Sequence, residues 1–200
     1  WHEPGKGETH LLSLLRGHRM KMVFKRLFDE NEFLSDYGIR SMSKFHLENP
    51  YHFNLHGEHL NVKYTPGESD LTIMGGNSNW RGPVWFPLNY LIIDSLHKYS
   101  KYYGEDYEVE YPTNSGEIVT IREAALQISE RLINIFKEGE NGKKPFMGGV
   151  EKFNKDKDFK DYYHFYEYFH GDNGKGLGAA HQTGWTGLVA DLIQEVNEGR

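Results

Sequence analysis

The chain has 200 residues, 38% of them hydrophobic and 14% aromatic, enough to bury one sizeable core, so it reads as a folded domain. The absence of cysteine excludes disulfides and thiolate metal sites, and the longest apolar run, residues 88–93, falls far short of the roughly 20 residues of a membrane span. The formal net charge of −6, with lysines and arginines scattered singly or in pairs, offers no basic stripe for a phosphate backbone, so neither nucleic acid nor a membrane is expected as a partner.

A soluble, cytoplasmic protein is the expectation. The chain opens on Trp1 rather than Met, and nothing near it has the charged, apolar, small-residue order of a signal peptide. It reads as a piece of something longer.

Leu11, Leu12, Leu15, Met22, Val23 and Phe28 recur at roughly helical spacing and predict an amphipathic helix over residues 8–28, with Gly17 weakening its middle. Over residues 29–79 the periodicity dissolves into short aromatic phrases broken by Gly38, Pro50, Gly57, Pro66, Gly67, Gly75 and Gly76, which predicts a long ordered loop. Pro83 suits the first position of a helix, and Trp85, Leu88, Ile92, Leu96 and Tyr99 then form one stripe, predicting a helix over about 82–103. Thr120 followed by Glu123 is a capping-box signal. Ala124, Ala125, Ile128, Leu132, Ile135 and Phe136 extend it into a third helix that Gly139 stops. Residues 141–180 form a second long loop, after which Trp185, Leu188, Val189, Leu192, Ile193 and Val196 restore a helical stripe. Strand-like alternation is confined to short ribbons at 60–64 and 107–111, so the class is mainly α.

Loops this long are uncommon in compact domains unless they carry function. Residues 161–172 set Glu167 among six aromatic rings and two histidines. Sugars present C–H faces that stack on such rings and hydroxyls that bond to polar groups. Trp80, Arg81, Trp85, Asn77, Asn79 and Gln182 supply both kinds of contact. Cleaving a glycosidic bond usually needs two carboxyl groups, and Glu167 is a candidate for one. The competing reading pairs Glu167 with a Lys or Arg and lets the rings fill space between helices. His52, His56 and His59 have a spacing that a helix would gather around a metal, but Pro50, Asn54 and Gly57 argue against a helix there. Asp156, Asp158 and Asp161 lack the glycine and terminal glutamate of a calcium loop. No metal or cofactor is expected.

The phrases Gly-Gly-Asn-Ser-Asn-Trp-Arg-Gly-Pro-Val-Trp-Phe-Pro-Leu-Asn-Tyr at 75–90 and Gly-Ala-Ala-His-Gln-Thr-Gly-Trp-Thr-Gly-Leu-Val-Ala at 178–190 closely resemble glycoside hydrolase family 63 and its mannosylglycerate-hydrolase-like relatives. Glu-Phe-Leu-Ser-Asp-Tyr-Gly-Ile-Arg-Ser at 32–41 and Tyr-Glu-Tyr-Phe-His-Gly-Asp at 166–172 resemble that family's active-site loops in the same order. The resemblance covers nearly the whole chain. It implies that residues 1–200 are a single partial domain, the C-terminal portion of an (α/α)6 barrel with long loops, under half of the ring. It further implies hydrolysis of α-linked glucosides or mannosides with inversion.

By position in those phrases, Glu167 inherits the role of general base. Trp80 and Arg81 border the sugar pocket, with Tyr37, His181 and Gln182 in phrases close to substrate. The family's general acid, an aspartate, belongs to an earlier part of the barrel and is expected upstream of Trp1. One departure is Ser35-Asp36-Tyr37, where Ser-Pro-Tyr is the family pattern; it adds a carboxylate that either perturbs the pocket or faces solvent. Trp85 fits core packing as well as the pocket, and Trp185 is left out of the site for the same reason. The expected partner is a small saccharide or oligosaccharide. A partial barrel would also leave apolar helix faces that invite self-association. The alternative function is a carbohydrate-binding or scaffold fragment without catalysis.

Overall fold

Which of the predicted stripes become helices, and where each starts, depends on what they pack against. In the computed structural model, which describes residues 9–15, 17–69, 80–139 and 142–199, helix α1 runs Gly17–Leu27. Gly17 therefore opens the helix instead of weakening its middle. Leu11, Leu12 and Leu15 precede it, with Leu12 fully exposed. The buried face is Met20 and Phe24, continued by Phe28 just beyond the helix. Met22 lies about 200° round from Met20 at 100° per residue and is exposed, as is Val23, contrary to the predicted stripe.

Two short antiparallel hairpins follow, β1 (Leu34–Ser35) with β2 (Gly38–Ile39) and β3 (Tyr51–Leu55) with β4 (Glu58–Val62). Helix α2 spans Phe86–Tyr103. Pro87, not Pro83, sits in its first turn, where a missing N–H removes no helical bond. Its deeply buried face is Phe86, Asn89, Ile93, Leu96 and Tyr102. Leu88, Ile92 and Tyr99 of the predicted stripe lie to one side, half-buried, along an apolar groove of about 470 Å³ against α1. Asn89 tolerates burial because its amide closes on β2 like a strand neighbour. Ile39 N–H donates to its Oδ1 (2.7 Å), and its Nδ2 donates to the Ile39 and Trp85 carbonyls at 3.0 and 2.9 Å.

The hairpin of β5 (Glu108–Glu110) and β6 (Ile118–Thr120) leads into α3, Ile121–Asn134. The capping box is formed: Glu123 N–H donates to Thr120 Oγ1 (3.2 Å), and Thr120 N–H donates to Glu123 Oε2 (2.7 Å). Ala124, Ala125, Ile128 and Leu132 are fully buried between α2 and α6. The second loop holds a short helix α4 (Glu151–Lys155) and the hairpin of β7 (Tyr168–Phe169) with β8 (Gly176–Leu177). The final stripe divides into α5 (Thr183–Thr186) and α6 (Val189–Glu198), with Gly187 between them.

Among the described residues 39% are helical and 16% strand. Helices carry the core, yet the chain is a mixture of helices and small hairpins. Two hairpins overlap the predicted ribbons; β1 with β2 and β7 with β8 have two residues per strand, too few to show alternation. No helix of the described residues is long and apolar enough to cross a membrane.

Candidate functional site

The short strands assemble into a platform. Arg40, just past β2, bridges Val84, and Val84 bridges Phe169 of β7. The ladder uses Ser41 N–H to Pro83 O (3.0 Å), Val84 N–H to Phe169 O (2.8 Å) and Phe169 N–H to Val84 O (2.9 Å). That pairing is why Pro83 is extended rather than helical. Segment 65–67 joins the edge, with Thr65 N–H on Arg81 O and Gly171 N–H on Pro66 O (2.9 Å). Gly171 has no room for a side chain, since a Cβ there would lie 2.4 Å from Gly82 O. Three of the four family-like phrases meet here.

Asp172 ties them further. Its Oδ1 accepts from Arg40 Nη2 (3.0 Å), Tyr64 OH (3.0 Å) and Lys44 Nζ (3.4 Å). Burial acts to raise this carboxyl, but the Arg40 charge, the Tyr64 and Arg40 hydrogen bonds and the Lys44 charge outweigh it and hold it below its ordinary range. The buried Arg40 also donates through Nη1 to the carbonyls of Glu30, Glu32 and Leu34. Burial pushes the Tyr64 phenol well up, and Asp172 adds to the rise. His170 is pushed down chiefly by burial, and its Nδ1 accepts the Asp172 N–H at 3.1 Å.

On this platform stands an aromatic stack. Trp80, 52% exposed, lies parallel to Trp85 with ring centroids 5.4 Å apart. Trp85 in turn stacks on Tyr168 at 5.2 Å, and Trp185 meets Trp85 edge-on at 5.6 Å. Trp85 is thus both core, at 6% exposure, and the middle of the stack. The outer face of Trp80 is available for a flat apolar partner such as a sugar's C–H face. The Tyr168 phenol is raised by burial and then by two facing carboxylates, Glu68 and Glu167.

Glu167 immediately precedes Tyr168 and is half-buried. Its Oε2 accepts the Ala179 N–H at 3.4 Å. Opposite it, Gly178 has φ +70°, and a Cβ there would lie 2.7 Å from Glu167 Oε2 and 2.9 Å from Glu167 Cβ. The glycine therefore admits the carboxylate. No Lys or Arg forms an ion pair with Glu167 among the described residues, so the competing reading of a plain surface ion pair finds no partner here.

Gln182 N–H donates to Phe165 O (2.7 Å) and His181 bridges Phe165, which ties both to the strand leading into Glu167. Arg81 is buried, and its guanidinium donates to the Ser69 hydroxyl. Tyr37, in the β1 to β2 turn, packs its ring against Gly174 in the β7 to β8 turn, at the far end of that hairpin from Glu167. The fold thus sets Glu167 next to Tyr168, at the inner end of a stack that runs through Trp85 to Trp80, ties His181 and Gln182 by their backbone to Phe165, and leaves Tyr37 apart. Asn77 and Asn79 lie outside the described residues. Asp36 faces solvent, its side chain 84% exposed and 3.7 Å from Arg131.

His52 and His59 stand on β3 and β4 with His56 in their turn. Asp156 caps the Asp158 N–H in a tight turn (2.8 Å). Among the described residues no three His, Asp or Glu side chains converge as a metal site would require. The cluster of Arg40, Tyr64 and Asp172 escaped the sequence reading. Its one available signal was an arginine and an aspartate inside two family-like phrases, and nothing local says that they meet.

Residues 9–115 match the glycosyl hydrolase family 63 C-terminal domain. The chain is 49% identical over 194 residues to an uncharacterized protein of Saccharomyces cerevisiae, covering 96% of this chain and 18% of that protein. It is 26% identical over 197 residues to a probable mannosyl-oligosaccharide glucosidase of Schizosaccharomyces pombe, covering 95% of this chain and 18% of the relative. Over 178 residues it is 24% identical to the mannosyl-oligosaccharide glucosidase of Saccharomyces cerevisiae, covering 88% and 15%. The chain spans less than a fifth of the length of these relatives. With more than half of its residues inside the matched domain, and with the family-like phrases joined on one platform, the chain belongs to glycosyl hydrolase family 63.

Proposed function

We propose that the protein carrying this chain is an inverting glycoside hydrolase for α-linked glucosides or mannosides, with Glu167 as its general base. The observation that carries this reading is a half-buried carboxylate, with no cationic partner among the described residues, beside an aromatic stack and admitted by Gly178. Glu167 removes a proton from water as that water attacks the anomeric carbon, opposite the leaving group. A second carboxyl, supplied by polypeptide outside this stretch, protonates the leaving oxygen. The two stand roughly 6.5–9.5 Å apart, leaving room for the water.

Trp80 stacks on the sugar ring, and Gln182 and His181 bond its hydroxyls, aligning the anomeric carbon for attack. Arg81 holds the loop ahead of α2 through its bond to Ser69. Tyr37, seated on Gly174 at the far end of the β7 to β8 hairpin, stands outside this saccharide site. In this reading the chain is one partial domain, and α1, α2, α3 and α6 are members of an (α/α)6 ring completed by the rest of the protein. The names of the two glucosidase relatives support a glucoside within an oligosaccharide.

Proton NMR of the full-length protein with a panel of α-glucosides and α-mannosides tests the proposal. Initial release of the β-anomer by wild type, with Glu167→Gln losing turnover while keeping saccharide binding, supports it. Release of the α-anomer sinks the inverting mechanism, and undiminished turnover by Glu167→Gln sinks the assignment of the base. Saturable binding with no turnover by wild type on any member would favour a carbohydrate-binding role.

A further inference from the structure

At the far end of the β7 to β8 hairpin from Glu167 lies a second concavity of about 580 Å³, within the size range of small-ligand sites. Tyr37 forms one wall, and Lys143, Lys144, Lys175 and Asn173 reach its rim. No carboxylate is among its described lining residues, in a chain whose net charge is −6. A cleft lined by one sign of charge focuses its field and raises the local concentration of ligands of opposite sign.

The walls are held in place. Lys175 lays its stem across Gly148, where a Cβ would sit 2.8 Å from Lys175 Cγ. Gly148 has φ +60°, a conformation that also favours glycine. The Tyr37 ring is seated against Gly174, which leaves no space for a Cβ (2.6 Å). Lys144 Nζ donates to Lys160 O (3.0 Å) and lies 4.3 Å from the Tyr163 ring centroid, with donors remaining on the ammonium.

We propose that this concavity is a binding site for a small phosphate-bearing ligand of sugar-phosphate size. Lys175 and Lys144 take the phosphate oxygens, Asn173 offers its amide, and Tyr37 provides the flat face for the sugar. The proposal goes beyond the hydrolase reading and stands whether or not Glu167 is a catalytic base.

Calorimetric titration of the full-length protein with glucose 6-phosphate, inorganic phosphate and glucose, alongside hydrogen exchange, tests it. Expected are saturable binding of glucose 6-phosphate, protection of residues 143–149 and 173–175, and no such binding of glucose. Lys175→Gln should weaken affinity about tenfold, and Lys144→Gln with Lys175→Gln further. Lys157→Gln, an exposed lysine outside the pocket, should leave affinity unchanged, as all three variants should leave hydrolytic turnover. Absence of saturable phosphate binding, equal affinity in the double variant, or an equal loss in Lys157→Gln overturns the site. Inorganic phosphate binding as tightly as glucose 6-phosphate overturns its sugar half.

Discussion

Replacing Gly178 by alanine tests whether Glu167 is placed by the close approach of two backbone segments. The added methyl would sit 2.7 Å from Glu167 Oε2 and 2.9 Å from Tyr168 Cε1, at a backbone φ of +70°. The left-handed conformation costs an L-residue about 1–2 kcal/mol, and forcing extra volume into a packed contact adds about 1–3 kcal/mol. The sum, about 2–5 kcal/mol, predicts local opening of residues 166–179 roughly 30-fold to several thousand-fold more often. Gly57→Ala supplies the control, since Gly57 has φ +86° with nothing within 4 Å of the added methyl. It should show the backbone component alone, about 5- to 30-fold and confined to the hairpin of β3 and β4. Hydrogen exchange read by mass spectrometry on the full-length protein measures both without needing a substrate. Turnover in Gly178→Ala should fall about 100-fold if the carboxylate moves by 1 Å. Exchange of 166–179 unchanged, or accelerated no more than Gly57→Ala accelerates its own hairpin, would refute the steric argument.

The Asp172 carboxyl is held below its ordinary range in the fold, so its stabilisation is complete above the unfolded value near 3.8 and is lost as pH falls through the depressed folded one. Asp172→Asn should destabilise the platform by about 1–3 kcal/mol at neutral pH, less than for a fully buried pair because the carboxylate is 30% exposed. Denaturant midpoints followed against pH should show that gap closing in acid; a gap constant down to pH 3 would exclude the ion pair as its cause. Trp85→Ala should cost about 3–5 kcal/mol of stability. Trp80→Ala should instead leave stability within about 1 kcal/mol and weaken saccharide binding up to about tenfold, and the reverse order in unfolding and titration would overturn the division of roles within the stack. Thr120→Ala should remove about 1 kcal/mol from the start of α3, seen as faster exchange of its first turn; unchanged exchange there would mean that the capping box contributes nothing.

What could be read along the chain was whatever acts over a few residues. The capping box of Thr120 and Glu123, the apolar face of α3 and the end of α2 at Tyr103 all came from bonds between near neighbours, and Glu167 drew notice through its aromatic company and its phrase. The choice between Pro83 and Pro87 did not, because both prolines satisfy a helix's first turn. It was decided by Val84 pairing with Arg40 on one side and Phe169 on the other. Likewise the start of α1 at Gly17 and the burial of Met20 over Met22 followed from which face the core accepted. The two-residue strands of β1, β2, β7 and β8 have no periodicity of their own; each hairpin closes locally, and distant partners, Asn89 on Ile39 and Val84 on Phe169, hold it in place. Arg40 and Asp172 are 132 positions apart, and only packing brings them to 3.0 Å. The same holds for the site: its residue types were legible, but that Arg81 is buried on Ser69, and Tyr37 at the far end of the hairpin, was set by the tertiary structure. Capping and helical periodicity are local energies written in adjacent residues, whereas the meeting of separate loops is settled by the balance of the whole core.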